Sequence, residues 1–342
     1  RQVGLRPAPE EGRRRRDRQQ PARVLAVLIG YKLEAIGVIN YPPLLGAVSG
    51  HLPKSALEVK GSKPFFAKTY IDLVRMVAAL ASANPEYRLL FRGQTKEYFS
   101  YAGNSRIIPS LYRLDKKSCR ESVAFDKAVV RLNEAELTLN CIIPFDIGER
   151  LKRKVERWAV LQHYEVCSTP LLDMTSSLSV ACWFALHGAC ESDRPVVYVF
   201  GLPYPQGPLS FDLSTGIFQL ELTTLLPPIA ERPVFQNGYL VGRESDLDLS
   251  YFGGFDYSDR LIAKIELQDS RDFRSSLGVS ANLLFPTSDP FLKISQEIER
   301  LLKSRDEFAF LQCEHMFDSL QSDSLNSLFG FEPIDWIDYY DG

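Results

Sequence analysis

One stretch constrains this chain more than any other. From Leu178 to Leu186 nearly every side chain is apolar, with Val180, Ala181, Cys182, Trp183 and Phe184 at its centre. A helix of that composition has no face to offer to water and must be covered on all sides. Its neighbours suit the task. Leu171 to Thr175 reads as a short strand after the break at Thr169-Pro170, and Ser176 or Ser177 supplies an N-cap. His187-Gly188 ends the helix, glycine suiting the left-handed position past a helix C-terminus. Arg194 to Gly201, through Pro195-Val196-Val197-Tyr198-Val199-Phe200, then reads as a buried strand.

Other elements follow from periodicity. Ile71, Leu73, Val74, Val77 and Leu80 mark one face of a helix that ends at Asn84-Pro85. Tyr87, Leu89 and Phe91 alternate with Arg88, Leu90 and Arg92, which is strand periodicity ending in Gly93, where backbone can approach a ligand or turn. Helices are expected from Glu121 to about Thr138, from Ile147 to Leu161, and from Pro290 onward through Phe291, Ile294, Ile298 and Leu301. Strands are expected around Arg232 to Val241 and Asp259 to Leu267, with Ser280 to Pro286 as loop or edge. Gly61 to Pro64 reads as a linker. Helices precede, interrupt and follow the strands, so the expected class is α+β, a mixed central β-sheet with flanking helices.

Composition bounds the function. With 342 residues, 45% of them hydrophobic, the chain can bury a full core as one large domain with extensions or as two domains. A net charge of -3 does not indicate a nucleic-acid partner, which usually calls for a basic protein. The six cysteines, Cys119, Cys141, Cys167, Cys182, Cys190 and Cys313, contain no CxxC pair, and the four histidines have no ligand spacing, so no metal site is expected. They read as buried thiols of a reducing compartment, consistent with a cytoplasmic location. Residues 1 to about 22, rich in Arg, Pro, Glu and Gln, read as a disordered tail. The apolar run Val24 to Gly30 is too short to span a membrane.

Several residues are candidates for chemistry. Arg92, at the end of an apolar strand, can grip a phosphate or carboxylate through two parallel hydrogen bonds, or pair with a carboxylate such as Asp173. His163 can serve as acid or base near neutral pH, or as a structural donor; Glu165 stands beside it. Asp173, flanked by Leu171, Leu172 and Met174, needs a partner if buried. Thr175, Ser176 and Ser177 either cap the following helix or face a ligand as strand-end hydroxyls. Gln236, in Phe235-Gln236-Asn237-Gly238-Tyr239, belongs to a turn or to a site with close backbone approach. No Walker loop, GxGxxG or HExxH occurs.

Phe91-Arg92-Gly93-Gln94 resembles the motif that names the FRG domain. Further matches follow in family order: Pro109-Ser110-Leu111-Tyr112-Arg113; Gln162-His163-Tyr164; Thr169-Pro170-Leu171-Leu172-Asp173-Met174-Thr175 leading into Ser179 to Ala185; Arg232 with Gln236-Asn237-Gly238; and Leu284-Phe285-Pro286. The resemblance spans about Thr69 to Lys303, and it divides the chain into an N-terminal extension (1–60), an FRG domain (61–303) and a C-terminal helical tail (304–342). Departures are Glu165 where many members have glycine, Met174 where many have tryptophan, and Leu240 near a common phenylalanine.

The order of parts also resembles ADP-ribosyltransferases at a distance. That likeness implies a nucleotide or other phosphate-bearing ligand, NAD being the cofactor to consider. Arg92, with Gln94 after it, would hold phosphate and ribose, Ser176 would shape the pocket, and Gln236 would stand at the third position, where that superfamily has glutamate. A neutral amide cannot stabilise a cationic ribose as a carboxylate does. Glu165, Asp173 or Glu231 would then have to supply that charge, and His163, Glu165 and Asp173 are the candidates for a catalytic role. Two other readings stand beside this one: a non-catalytic recognition or interaction module, and a purely structural network in which Arg92 is paired to Asp173.

Overall fold

The computed structural model describes residues 59–113, 121–249, 253–269 and 271–304. The expectations for the N-terminal extension and for the C-terminal tail beyond 304 lie outside these residues.

The elements in chain order are β1 (Phe65–Ala67), α1 (Tyr70–Ala83), β2 (Arg88–Gln94), α2 (Glu121–Ile142), α3 (Phe145–Gly148), α4 (Lys154–His163), β3 (Leu172–Thr175), α5 (Leu178–Leu186), β4 (Val196–Leu202), β5 (Leu209–Asp212), β6 (Ile217–Glu221), α6 (Leu222–Leu225), α7 (Glu231–Gln236), β7 (Gly238–Arg243), β8 (Leu261–Leu267), α8 (Arg271–Ser275), α9 (Ala281–Leu284) and α10 (Pro290–Ser304). The strands form one sheet in the order β1-β8-β4-β2-β3-β7-β6-β5. The β1–β8 pair is parallel, and the other neighbouring pairs are antiparallel. The chain is therefore α+β with a mixed central sheet, as its pattern of elements predicts.

The buried helix does what its composition demands. Ser177 caps α5 by accepting from the Val180 N–H, and Ala181, Cys182, Ala185 and Leu186 are buried with Leu73 and Leu80 of α1 and Phe91, Val197, Val199, Ala263 and Ile265 of the sheet. β4 is buried along its whole length between β2 and β8. On the opposite face, Leu90, Leu172, Met174, Tyr198, Phe200, Tyr239 and Leu261 form a second core. A third packs α2, α4 and α10 together through Leu132, Leu139, Trp158, Leu161, Phe291 and Ile298. Glu136 ties α2 to α4: it accepts from Trp158 Nε1 at 2.9 Å and from Arg157 Nη2 at 2.8 Å.

Three local expectations differ. The single helix from Ile147 to Leu161 is two helices, α3 and α4; Glu156 starts the second by accepting the Arg153 backbone N–H at 2.7 Å and its guanidinium at 2.8 Å. The strand expected from Arg232 is helix α7 up to Gln236, with Pro233 in its first turn, where its missing N–H costs nothing. Asn237, at φ 46°, ends that helix in the left-handed conformation, and β7 starts at Gly238. Ser280 caps the short helix α9 rather than lying in a loop. The linker at Gly61 to Pro64 leads directly into β1, an edge strand too short to show periodicity.

Candidate functional site

β2 and β3 are registered at a single pair, Phe91 opposite Thr175, whereas β2 and β4 pair at every position from Arg88 to Gln94. Past that pair β2 and β3 part. A cavity of about 190 Å³ opens there, lined by Phe91, Arg92 and Gly93 of β2, Asp173, Met174 and Thr175 of β3, Gln162 and His163 of α4, Glu165, Phe184 of α5, and Arg232 and Gln236 of α7.

Arg92 occupies the gap. Its Nη1 donates to the backbone carbonyl of Asp173 at 2.5 Å. Its Nε is buried and finds no partner among the described residues. No carboxylate described lies within ion-pairing distance, so the structural alternative of an Arg92–Asp173 ion pair is not what the geometry presents. Burial, and then the like charge of Arg113, lower the Arg92 pKa to about 10, with Asp173 opposing. The guanidinium is still charged at neutral pH.

Asp173 is held by an oriented amide. Ser110 Oγ accepts the Thr169 N–H, so its own proton is free for Gln162 Oε1 at 3.1 Å. Thr169 Oγ1 accepts the Leu171 N–H and likewise donates to Gln162 Oε1, at 2.9 Å. With its oxygen engaged twice, Gln162 must point Nε2 at Asp173 Oδ2, which accepts at 2.6 Å. Three separate sequence motifs, around Ser110, Gln162 and Thr169, thus converge on one carboxylate. Burial raises the Asp173 pKa, while Arg92 and the Gln162 hydrogen bond pull it down.

His163 is buried at 5% exposure, and its Nδ1 lies 4.0 Å from Asp173 Oδ1, beyond hydrogen-bond reach. Burial and then Arg232 push its pKa down to about 3, so it is neutral at physiological pH. A Cβ on Gly238 would stand 3.1 Å from His163 Cε1; the close approach expected at Gly238 is made to this ring. Gly93 has a different neighbour. A Cβ there would fall 1.9 Å from the Ala181 carbonyl oxygen and 2.6 Å from Ala185 N, so this glycine lets α5 lie directly on β2.

Glu165 has an unusual backbone, with φ 61°. The Val166 N–H donates to the Leu161 carbonyl and the Glu165 N–H to the Gln162 carbonyl, the pattern of a Schellman ending to α4 with Glu165 in the left-handed position. Its carboxylate accepts from Arg232 Nη2 at 2.6 Å. Arg232 lies over the Phe285 ring at 4.5 Å, its backbone N–H donates to Asp289, and its Nε is buried without a partner among the described residues.

Of the residues expected from the sequence, Arg92, His163, Glu165, Asp173 and Gln236 line the cavity together, and Gln94 and Ser176 do not. Gln94 lies beyond Arg92 in the β2–β4 ladder, its buried Oε1 without a partner among the described residues. Ser176 donates its backbone N–H to Asn237. Thr175 takes the place expected for Ser176, its hydroxyl donating to the Gln236 carbonyl and accepting the Ser177 N–H. Gln236 turns its own Nε2 to the Leu284 carbonyl at 2.8 Å. Sequence reasoning did not place Arg232 or Phe184 in the cavity lining. Strand parity, which puts Asp173 and Thr175 on one face, is the signal that favours the threonine over Ser176.

The fold and site thus define an α+β domain with an arginine-centred polar cavity at a split in its sheet. A family model of the FRG domain matches residues 87–194, the span that carries β2, α4, β3 and α5, so an FRG domain is present in this chain. No curated protein and no solved structure matches it. Among the described residues no helix is long and apolar enough to cross a membrane.

Proposed function

We propose that this cavity binds a nucleotide or other phosphate-bearing ligand through Arg92, with NAD the first ligand to consider. One observation carries the reading: a charged, half-buried guanidinium faces a cavity and forms no ion pair with a described carboxylate, Asp173 acting on it only from a longer distance. A cation so placed favours an anion, and arginine holds phosphate oxygens through paired hydrogen bonds. The volume, about 190 Å³, is below the ~300–1,000 Å³ of sites that enclose a drug-sized ligand, so it suits one part of a dinucleotide, the rest lying outside. Calorimetric titration with NAD and ADP-ribose is the test. Binding by the wild type that is lost in Arg92→Ala supports the reading; no binding, or binding unchanged in Arg92→Ala, refutes it.

The finer form of this reading is an ADP-ribosyltransferase-like enzyme. The acids of the cavity favour instead a non-catalytic recognition module: Asp173 is engaged by Gln162, Glu165 by Arg232, and Gln236 is neutral. Release of nicotinamide from NAD by the wild type, abolished in Arg92→Ala, would decide for the enzyme.

A further inference from the structure

Resting on the Arg92 reading, we propose that Arg232 is a second anion-binding residue of the same cavity and that Glu165 is its internal placeholder, displaced when a ligand of the diphosphate class binds. The two partners of this ion pair are unequally held. The Arg232 side chain is 10% exposed and that of Glu165 is 72% exposed. Arg232 is fixed before any ligand arrives, by Phe285 and Tyr164 against its guanidinium and by Asp289 on its backbone N–H. Asp289 is itself anchored by Tyr164 Oη and the Phe291 N–H. Glu165 makes one ion pair and can swing into water at little cost, since an exposed carboxylate loses little on release. The arginine left behind cannot follow it and needs another anion.

The backbone supports the same view. Glu165 stands at a left-handed position that glycine adopts freely, and an L side chain there is strained. Chain termination alone calls for glycine; the glutamate adds only its reach to Arg232. Arg92 and Arg232 line one cavity from different elements, β2 and α7. Two fixed guanidinium groups facing one space match a ligand with two linked anionic groups, and a carboxylate already seated on one of them occupies the place of the second.

A ligand that must displace Glu165 binds with an affinity reduced by the fraction of molecules in which Arg232 is free. Calorimetric titration with inorganic pyrophosphate and with orthophosphate tests this. Glu165→Gln is expected to bind pyrophosphate about three- to ten-fold tighter than wild type. Arg232→Gln is expected to lose the preference for pyrophosphate over orthophosphate, and adding Glu165→Gln to it should bring no gain. Glu165→Gly, which relieves the left-handed backbone, is the second variant should the glutamine protein fold poorly, and the same tightening is expected of it. If Glu165→Gln and Glu165→Gly bind pyrophosphate no tighter than wild type while Arg92→Ala still abolishes binding, the placeholder is overturned and the Arg92 site stands. If neither anion binds wild type or any variant, both are overturned.

Discussion

The contact beneath the Phe91-Arg92-Gly93-Gln94 motif can be tested by adding one methyl group. In Gly93→Ala the new Cβ would lie 1.9 Å from the Ala181 carbonyl oxygen and 2.6 Å from Ala185 N. Both are backbone atoms of α5, so no side chain can rotate away. Helix and strand would have to separate by roughly 1 Å in an interior packed as densely as a crystal. Overpacking costs about 1–3 kcal/mol, occasionally more, and an unyielding backbone contact belongs at the upper end, about 3 kcal/mol. For a domain of this size that lowers the melting temperature by roughly 6–12 °C. Gly238→Ala is the control. Its Cβ would meet side-chain atoms of His163 and Leu222 at 3.1 and 3.2 Å, which can shift slightly, so about 1 kcal/mol is expected. Scanning calorimetry of the three proteins would measure both. A Gly93→Ala protein melting within about 2 °C of wild type, or a Gly238→Ala protein melting lower than it, would refute the packing argument.

Two further outcomes follow from the site. Arg92→Ala should change stability by no more than about 1.5 kcal/mol in urea unfolding, because it removes one hydrogen bond to a carbonyl and a poorly solvated charge. A loss of ~3–5 kcal/mol, typical of breaking a buried ion pair, would show that Arg92 serves the fold instead. His163 predicts a pH dependence. Its folded pKa of about 3 lies below the ordinary value of 6.5, so the unfolded chain takes up the proton first as pH falls. The stability this contributes is complete above pH 6.5 and drains away toward pH 3, with about 2 kcal/mol gone by pH 5. Asp173, whose pKa is raised, acts in the opposite sense, so the comparison is made against His163→Gln, in which the other groups titrate as before. Wild type should lose about 2 kcal/mol more than this variant between pH 7.5 and pH 5; equal losses would mean that the imidazole is protonated in the folded protein.

The sequence carried the core elements well and the site unevenly. The bounds of α5 were legible because nine residues, all apolar but Ser179, sit between a serine cap and a glycine stop, which leaves one solution. β2 and β4 were legible from alternation and from a continuous β-branched and aromatic run. The β5–β6 hairpin was not, because its exposed Phe211 and Leu213 blur any alternation. Helix α7 was hidden because Val234 and Phe235 are apolar but exposed, and apolar residues were read as strand. In the site, Arg92 and Asp173 stood out as polar groups in apolar runs. Arg232 did not, because its role comes from partners far along the chain, Phe285 and Asp289. Gly93 was legible as a special position but for the wrong neighbour, since sequence alone does not say which surface comes close.

The sheet order has a consequence for how this domain comes into being. The family-model match ends at residue 194, just before β4 begins at Val196. β4 is the strand that holds β2 along its whole length, and the β3 contact alone fixes β2 at one residue pair. The stretch that identifies the domain is therefore not a unit that can fold. On a ribosome, Arg92 would emerge early and remain without a ladder partner until β4 followed, and without its cavity until α7 arrived. Such long waits between complementary segments slow folding and leave strand edges open to wrong partners. A fragment cut at residue 194 should behave as an aggregating chain, and the shortest self-sufficient piece must reach α10, whose Asp289 cap carries the hydrogen bonds of Tyr164 and Arg232.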